Sequence, residues 1–66
     1  MIKLKVTGMT CGHCENAVRM ALAAVAGVTE VVTVDRNREV VEVEGAAEVA
    51  TLIAVVVEEG YTAEAA

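Results

Sequence analysis

Ile2, Leu4 and Val6 alternate with Lys3, Lys5 and Thr7 at the start of the chain. That period of two predicts a strand with one buried and one solvated face. From Cys14 the period lengthens. Cys14, Val18, Ala21, Leu22 and Val25 fall at helical spacing while Glu15, Asn16 and Arg19 face outward, so a helix follows with an apolar stripe toward the sheet. Gly27 is placed to terminate it. Residues 28–34 and 39–44 are rich in Val and Glu and flank Asp35-Arg36-Asn37-Arg38, which predicts a β-hairpin with Asn37 suited to the turn. Val28, Val32 and Val34 share one face and Val31 falls on the other, an ambiguous register that a bulge near residues 29–31 would resolve. In the partner strand Val41 and Val43 are expected inward. After Gly45, Val49, Leu52, Ile53 and Val56 recur at the spacing of a second helix, and period and length outweigh the β-propensity of Val55–Val57. Glu58, Glu59 and Gly60 end it, and Tyr61, Ala63 and Ala65 alternate as a short last strand that is expected to fray.

The order βαββαβ corresponds to two split βαβ units, which predicts an α+β, ferredoxin-like sandwich: a four-stranded antiparallel sheet with both helices on one face and strand order 4-1-3-2. Alternating strands fit that layout, because strands covered on both faces read as continuous apolar runs. In this order the last strand begins where the first one ends. Tyr61 is therefore expected near Cys11 and Cys14, with the hairpin loop Asp35–Arg38 at the same end.

Composition narrows the function. The 66 residues are expected to form one domain, 1–66, and Tyr61 is the only aromatic residue in a chain that is 56% hydrophobic. A core of small side chains favours tight layers over a pocket for a bulky substrate. The net charge is −5, with five Lys and Arg in all and no basic run, which argues against nucleic-acid binding. The longest apolar runs, around Met20–Val28 and Val49–Val57, fall short of the roughly 20 residues that cross a bilayer. Met1–Gly8 alternates rather than forming the apolar region of a secretion signal, so the simplest address is cytoplasmic.

The two cysteines carry the chemistry. In Cys11-Gly12-His13-Cys14 the first thiol is expected in a loop and the second in the first helical turn, where N–H groups and the helix dipole favour a thiolate. Because Cys14 continues the apolar stripe, it is expected half-buried and Cys11 more exposed. The same spacing serves thiol–disulfide oxidoreductases, but those are larger domains, and neither proline nor tryptophan is present here. Structural zinc needs four protein ligands, and only His13, wedged between the cysteines and expected to point away, could join them. An iron–sulfur cluster needs four cysteines. A two-sulfur clamp for a soft ion such as Cu(I) remains. Its open coordination lets a second protein's thiolate add before one of the original pair leaves.

The stretch Gly8-Met9-Thr10-Cys11-Gly12-His13-Cys14, together with Gly27-Val28, Val34-Asp35 and Gly60-Tyr61, resembles the heavy-metal-associated domain over nearly the whole chain, and as a stand-alone chain it resembles the bacterial copper chaperones. The resemblance implies that Cys11 and Cys14 bind one Cu(I), delivered without enzymatic turnover to the metal-binding domain of a copper-transporting P-type ATPase. It also implies that Met9 packs under the loop, as a gap-filling thioether would, and that Tyr61 lies beside the site. His13 is expected to be an exposed loop residue. Thr10 stands where relatives that handle zinc or cadmium carry an acidic residue, and its neutrality favours monovalent copper. A mercury or zinc/cadmium carrier, a detached ATPase metal-binding domain and a small thiol–disulfide oxidoreductase stay open. The metal-free protein is expected to be a monomer, although the same two cysteines also allow a copper-bridged homodimer. Arg19, Arg36 and Arg38 would make this end basic, against Glu15, Glu58 and Glu59.

Overall fold

Alternation and helical periodicity resolve, in a computed structural model that describes residues 1–66, into β1 (Ile2–Thr7), α1 (Gly12–Ala23), β2 (Val28–Asp35), β3 (Val40–Gly45), α2 (Val49–Glu58) and β4 (Thr62–Ala65). The strands form one antiparallel sheet in the order β2-β3-β1-β4, the expected 4-1-3-2 order. Leu4 and Val6 of β1 and Val41 and Val43 of β3 meet Val18 and Leu22 of α1 and Leu52 and Val56 of α2 in one cluster, each fully buried. Both helices therefore cover the same face. Lys3, Lys5, Glu44 and Glu64 are exposed on strand positions that alternate with the core positions, as a sheet with one wet face requires. No helix is long and apolar enough to cross a membrane.

The bulge expected near residues 29–31 is present and settles the ambiguous register of β2, and two expectations, on the end of α1 and the start of the α2 stripe, are corrected. In β2 the residues packed against the core are Val28, Val31 and Val34, while Val32 is 38% exposed. The β2–β3 register shifts twice, between Val28 and Glu30 and between Val31 and Thr33. Each shift inserts an extra residue into β2, so the inward positions step by three instead of two. Helix α1 stops before Gly27: Ala24, still in right-handed helical conformation, caps it with its N–H on the last turn, and Gly27, at φ 94°, serves the turn into β2 instead. Val25 reaches the core from beyond the helix end, its N–H donating to Leu22 O at 3.1 Å. In α2 the buried residues are Leu52 and Val56, and Val49, the first residue of the expected stripe, lies 37% exposed at the rim.

At the end of the sheet away from the cysteines, Gly27 O accepts the Ala46 N–H at 2.8 Å, which draws the two loops into backbone contact at Gly45. Gly45 has φ 142°, and a Cβ there would collide with Gly27 O and lie 2.9 Å from Val28 Cα. Both obstacles are backbone, so neither yields to a rotamer change. Gly45→Ala is expected to lower the free energy of unfolding by about 2–4 kcal/mol. Gly12→Ala, where a Cβ meets nothing within 4 Å, should shift it by less than about 1 kcal/mol. Urea midpoints of the two variants check the contrast.

Candidate metal centre

The thiol end is built from the exit of β1. Gly8 turns the chain at φ 98°, and Tyr61 Cδ1 lies 3.5 Å from where a Gly8 Cβ would stand, so the ring packs on the bare backbone. Met9 then drops into the core cluster at 9% exposure. This anchors a loop whose next two residues, Thr10 and Cys11, are exposed. Cys11 is the N-cap of α1, in extended conformation with φ −157° and ψ 176°. Its carbonyl accepts the N–H groups of Cys14 at 3.1 Å and Glu15 at 3.3 Å, closing the first helical turn.

That turn brings the two sulfurs to 3.9 Å from one another, with Thr10 Oγ1 3.7 Å from Cys14 Sγ. Both thiols are free. Cys11 is exposed, and Cys14 is half-buried against the core. His13 is exposed, and nowhere do three His, Cys, Asp or Glu side chains converge. The donor set at this end is thus two sulfurs, open to solvent on the Cys11 side. No pocket for an organic substrate opens in the surface.

The model of the heavy-metal-associated domain matches residues 3–62. The chain belongs to the heavy-metal-associated domain family. The copper chaperone CopZ of Staphylococcus epidermidis is 50% identical to it over 40 residues, 59% of either chain. The chain thus spans little more than half the length of the curated relatives it matches, 53–59%. Similarity to solved structures runs further. A copper binding domain from HMA7, a P-type ATPase, is 28% identical with a TM-score of 0.92, over 98% of this chain and 90% of that one. The N-terminal domain of Tn501 mercuric reductase, solved as its Hg(II) complex, is 34% identical with a TM-score of 0.82, over 100% of this chain and 97% of that one.

In this heavy-metal-associated domain the half-buried sulfur is the acidic one. The Cys14 thiol is lowered from 9.0 to about 6, chiefly by the nearby Tyr61 hydroxyl, then by the backbone and side chain of Thr10 and the backbone of Cys11. Burial opposes the shift and loses. The effect is reciprocal, since the Tyr61 phenol is raised above its usual 10.0, first by the influence of the Cys14 sulfur. Nearby N–H and O–H dipoles stabilise the anion, the pattern that activates cysteines at helix starts.

The β2–β3 loop lies at the same end, as the topology required. Asp35 Oδ1 accepts the N–H groups of Asn37 at 2.9 Å and Arg38 at 3.1 Å. Glu15 Oε2 accepts the Arg36 N–H at 2.8 Å, and Glu15 Oε1 accepts Arg36 Nη1 at 2.9 Å. Arg19 Nη1 is turned to Val31 O at 3.1 Å. Of the three arginines expected to make this end basic, one is neutralised by Glu15 and one is drawn to a strand carbonyl, which leaves Arg38 exposed. The Glu15–Arg36 pair was hidden in the sequence, where Glu15 looked like one more solvated charge. Its only trace was the topology that puts the hairpin loop next to the start of α1.

The thiolate population carries a pH signature. A thiol depressed in the folded state contributes stability in full above pH 9.0, declines as the pH falls, and contributes none below about 6. Thiolate absorbance of the reduced, metal-free protein should therefore rise for one cysteine with a midpoint near pH 6. Tyr61→Phe removes the leading donor and should move that midpoint upward; an unmoved midpoint would assign the shift to the loop backbone and Thr10 instead.

Proposed function

We propose that residues 1–66 act as one heavy-metal-associated domain that carries a single Cu(I) between the Cys11 and Cys14 thiolates and hands it to the metal-binding domain of a copper-transporting P-type ATPase. The observation that carries this reading is the pair of free thiols 3.9 Å apart at an exposed end with no third donor beside them. Two thiolates without a carboxylate suit a soft monovalent ion, and Thr10 adds no hard ligand. The separation is also close to what such an ion needs. With metal–sulfur bonds of about 2.3 Å, as for zinc, a near-linear arrangement spans roughly 4.6 Å. A modest opening of the Cys11 loop supplies the difference.

Transfer follows from the open coordination. A first thiol of the receiving domain loses its proton and bonds Cu(I) as a third ligand, and one original copper–sulfur bond breaks. A second receiving thiol then replaces the remaining original sulfur in the same way, and the protons lost by the receiving thiols balance those taken up by the released thiolates. Copper stays Cu(I) throughout and nothing is oxidised, so the protein is a carrier and not an enzyme. The exposed Cys11 offers the approach, while Met9 and Cys14 keep the other side of the loop packed. The names of the relatives support the assignment, since one is a copper chaperone and another a copper binding domain of a P-type ATPase. On this reading the protein works in the cytoplasm as a monomer when metal-free, and a copper-bridged homodimer uses the same two cysteines. A second reading, a carrier of Hg(II), has its own support in the 34% identity to a domain solved as an Hg(II) complex.

Anaerobic titration of the reduced protein with Cu(I) against a competing chelator, read by native mass spectrometry, is expected to give one copper per chain. Tyr61 emission should change with the same endpoint. Cys11→Ser or Cys14→Ser should weaken binding by about a hundredfold or more, scaling per ligand from the ~10–16 kcal/mol of four-ligand zinc peptides. Tight one-to-one binding by either variant sinks the two-sulfur assignment. Hg(II) retained preferentially under cellular thiol concentrations favours the second reading.

A further inference from the structure

Helix α1 begins with little local support. Its N-cap, Cys11, makes no side-chain capping hydrogen bond, and the first helical residue is Gly12, which costs about 1 kcal/mol relative to alanine inside a helix. His13 and Cys14, which follow, are middling helix formers. Yet this turn sets the position of Cys14 Sγ. Two tertiary contacts hold it: the packing of Cys14 against the core, and the Glu15 carboxylate, which takes the Arg36 backbone N–H on one oxygen and the Arg36 guanidinium on the other.

This is the one salt bridge in the structure, with side-chain exposures of 38% for Arg36 and 24% for Glu15. An exposed ion pair contributes little, because two long side chains are ordered for a weak attraction in water. Here one of the two donors is a backbone N–H that is already fixed. The Asp35 carboxylate ties down the N–H groups of Asn37 and Arg38, and Glu39 O accepts the Val6 N–H at 3.0 Å. The loop is thus secured to itself and to β1 on either side of Arg36, and Glu15 grips a rigid support. Charge-assisted hydrogen bonds to such a support are the strong kind.

We propose that Glu15 and Arg36 are positioning residues of the thiol centre: their clamp fastens the uncapped first turn of α1 to the β2–β3 loop and so fixes Cys14 for metal capture. The positioning role rests on the metal-carrier reading, while the clamp itself is testable without metal. Breaking it lets the turn fray, and a metal that needs both sulfurs then has to reorder the turn on binding, which lowers apparent affinity by the fraction of chains left competent.

Amide hydrogen exchange of the reduced, metal-free protein reads the clamp directly. In Glu15→Ala the amides of residues 14 and 15, both bonded to Cys11 O, should exchange about tenfold faster, the loss expected for a charge-assisted hydrogen bond, with Val18 and Leu22 unchanged. Alanine is the better helix former, so propensity alone predicts the opposite sign. Arg36→Ala retains the backbone N–H and leaves the acidic residue at the helix start, so its effect should be smaller but of the same sign. Glu15→Gln, which retains an acceptor, should also fall between wild type and Glu15→Ala. Cu(I) affinity should follow the same ranking. Unchanged amides in Glu15→Ala overturn the clamp, and faster amides with wild-type copper affinity overturn the positioning role. A wild-type protein that takes up no Cu(I) overturns the carrier reading and the positioning role together, while the amide data still decide the clamp on their own.

Discussion

The register between β1 and β4 is the constraint on which the thiol end depends. Val6 pairs with Ala63 and Thr7 with Thr62, so Tyr61 arrives opposite Gly8, one step beyond the last pair. A slip of one residue would turn every side chain of β4 to the opposite face and carry the phenol away from Cys14. The ring is admitted because Gly8 presents no side chain to it, and the following Met9 commits the loop by entering the core. Sheet pairing, a glycine and a buried thioether together place a hydroxyl beside a sulfur that is distant in sequence.

The core that holds this register contains no aromatic ring. Its eight fully buried side chains are leucines and valines, drawn from β1, β3 and both helices. Such side chains have few rotamers to lose and pack in thin layers. The packing closes around residues that are independent of any bound ion: Met9 and Cys14 touch the core from the thiol end, and the remaining members lie behind them. A centre at the edge of a finished core can open and close without disturbing it, which a carrier needs and a structural metal site does not tolerate.

Much of this was legible in the chain, for reasons that differ by element. β1 and the two helices each have a single apolar face, so one period fits each, and the order of elements then implied the sheet order and with it the approach of Tyr61 to the cysteines. The register of β2 stays ambiguous between Val31 and Val32 in the sequence, where a bulge near residues 29–31 is expected, because its candidates are all valines: exchanging one for another changes no hydrophobicity, and only the pairing with β3 decides. The end of α1 was misplaced because Val25 continues the helical stripe, although it reaches the core from a turn. The Glu15–Arg36 clamp joins residues 21 apart in sequence, and no local pattern distinguishes a glutamate that will meet a backbone N–H from one that faces water.

The electrostatics of the thiol end follow from the same contacts. A chain of net charge −5 sets an unfavourable background for thiolates, yet Cys14 is lowered to about 6 without any Lys or Arg among the groups responsible. Nearby hydroxyl and backbone dipoles accomplish this at short range, where screening by salt is weak, whereas the diffuse negative charge acts over lengths that salt screens. Arg36 has the complementary task. By pairing with Glu15 it neutralises the one carboxylate adjacent in sequence to Cys14, which would otherwise oppose the dipoles. The anion is thus stabilised by short-range geometry, and that geometry is inherited from the strand register and from the clamp on the first turn of α1.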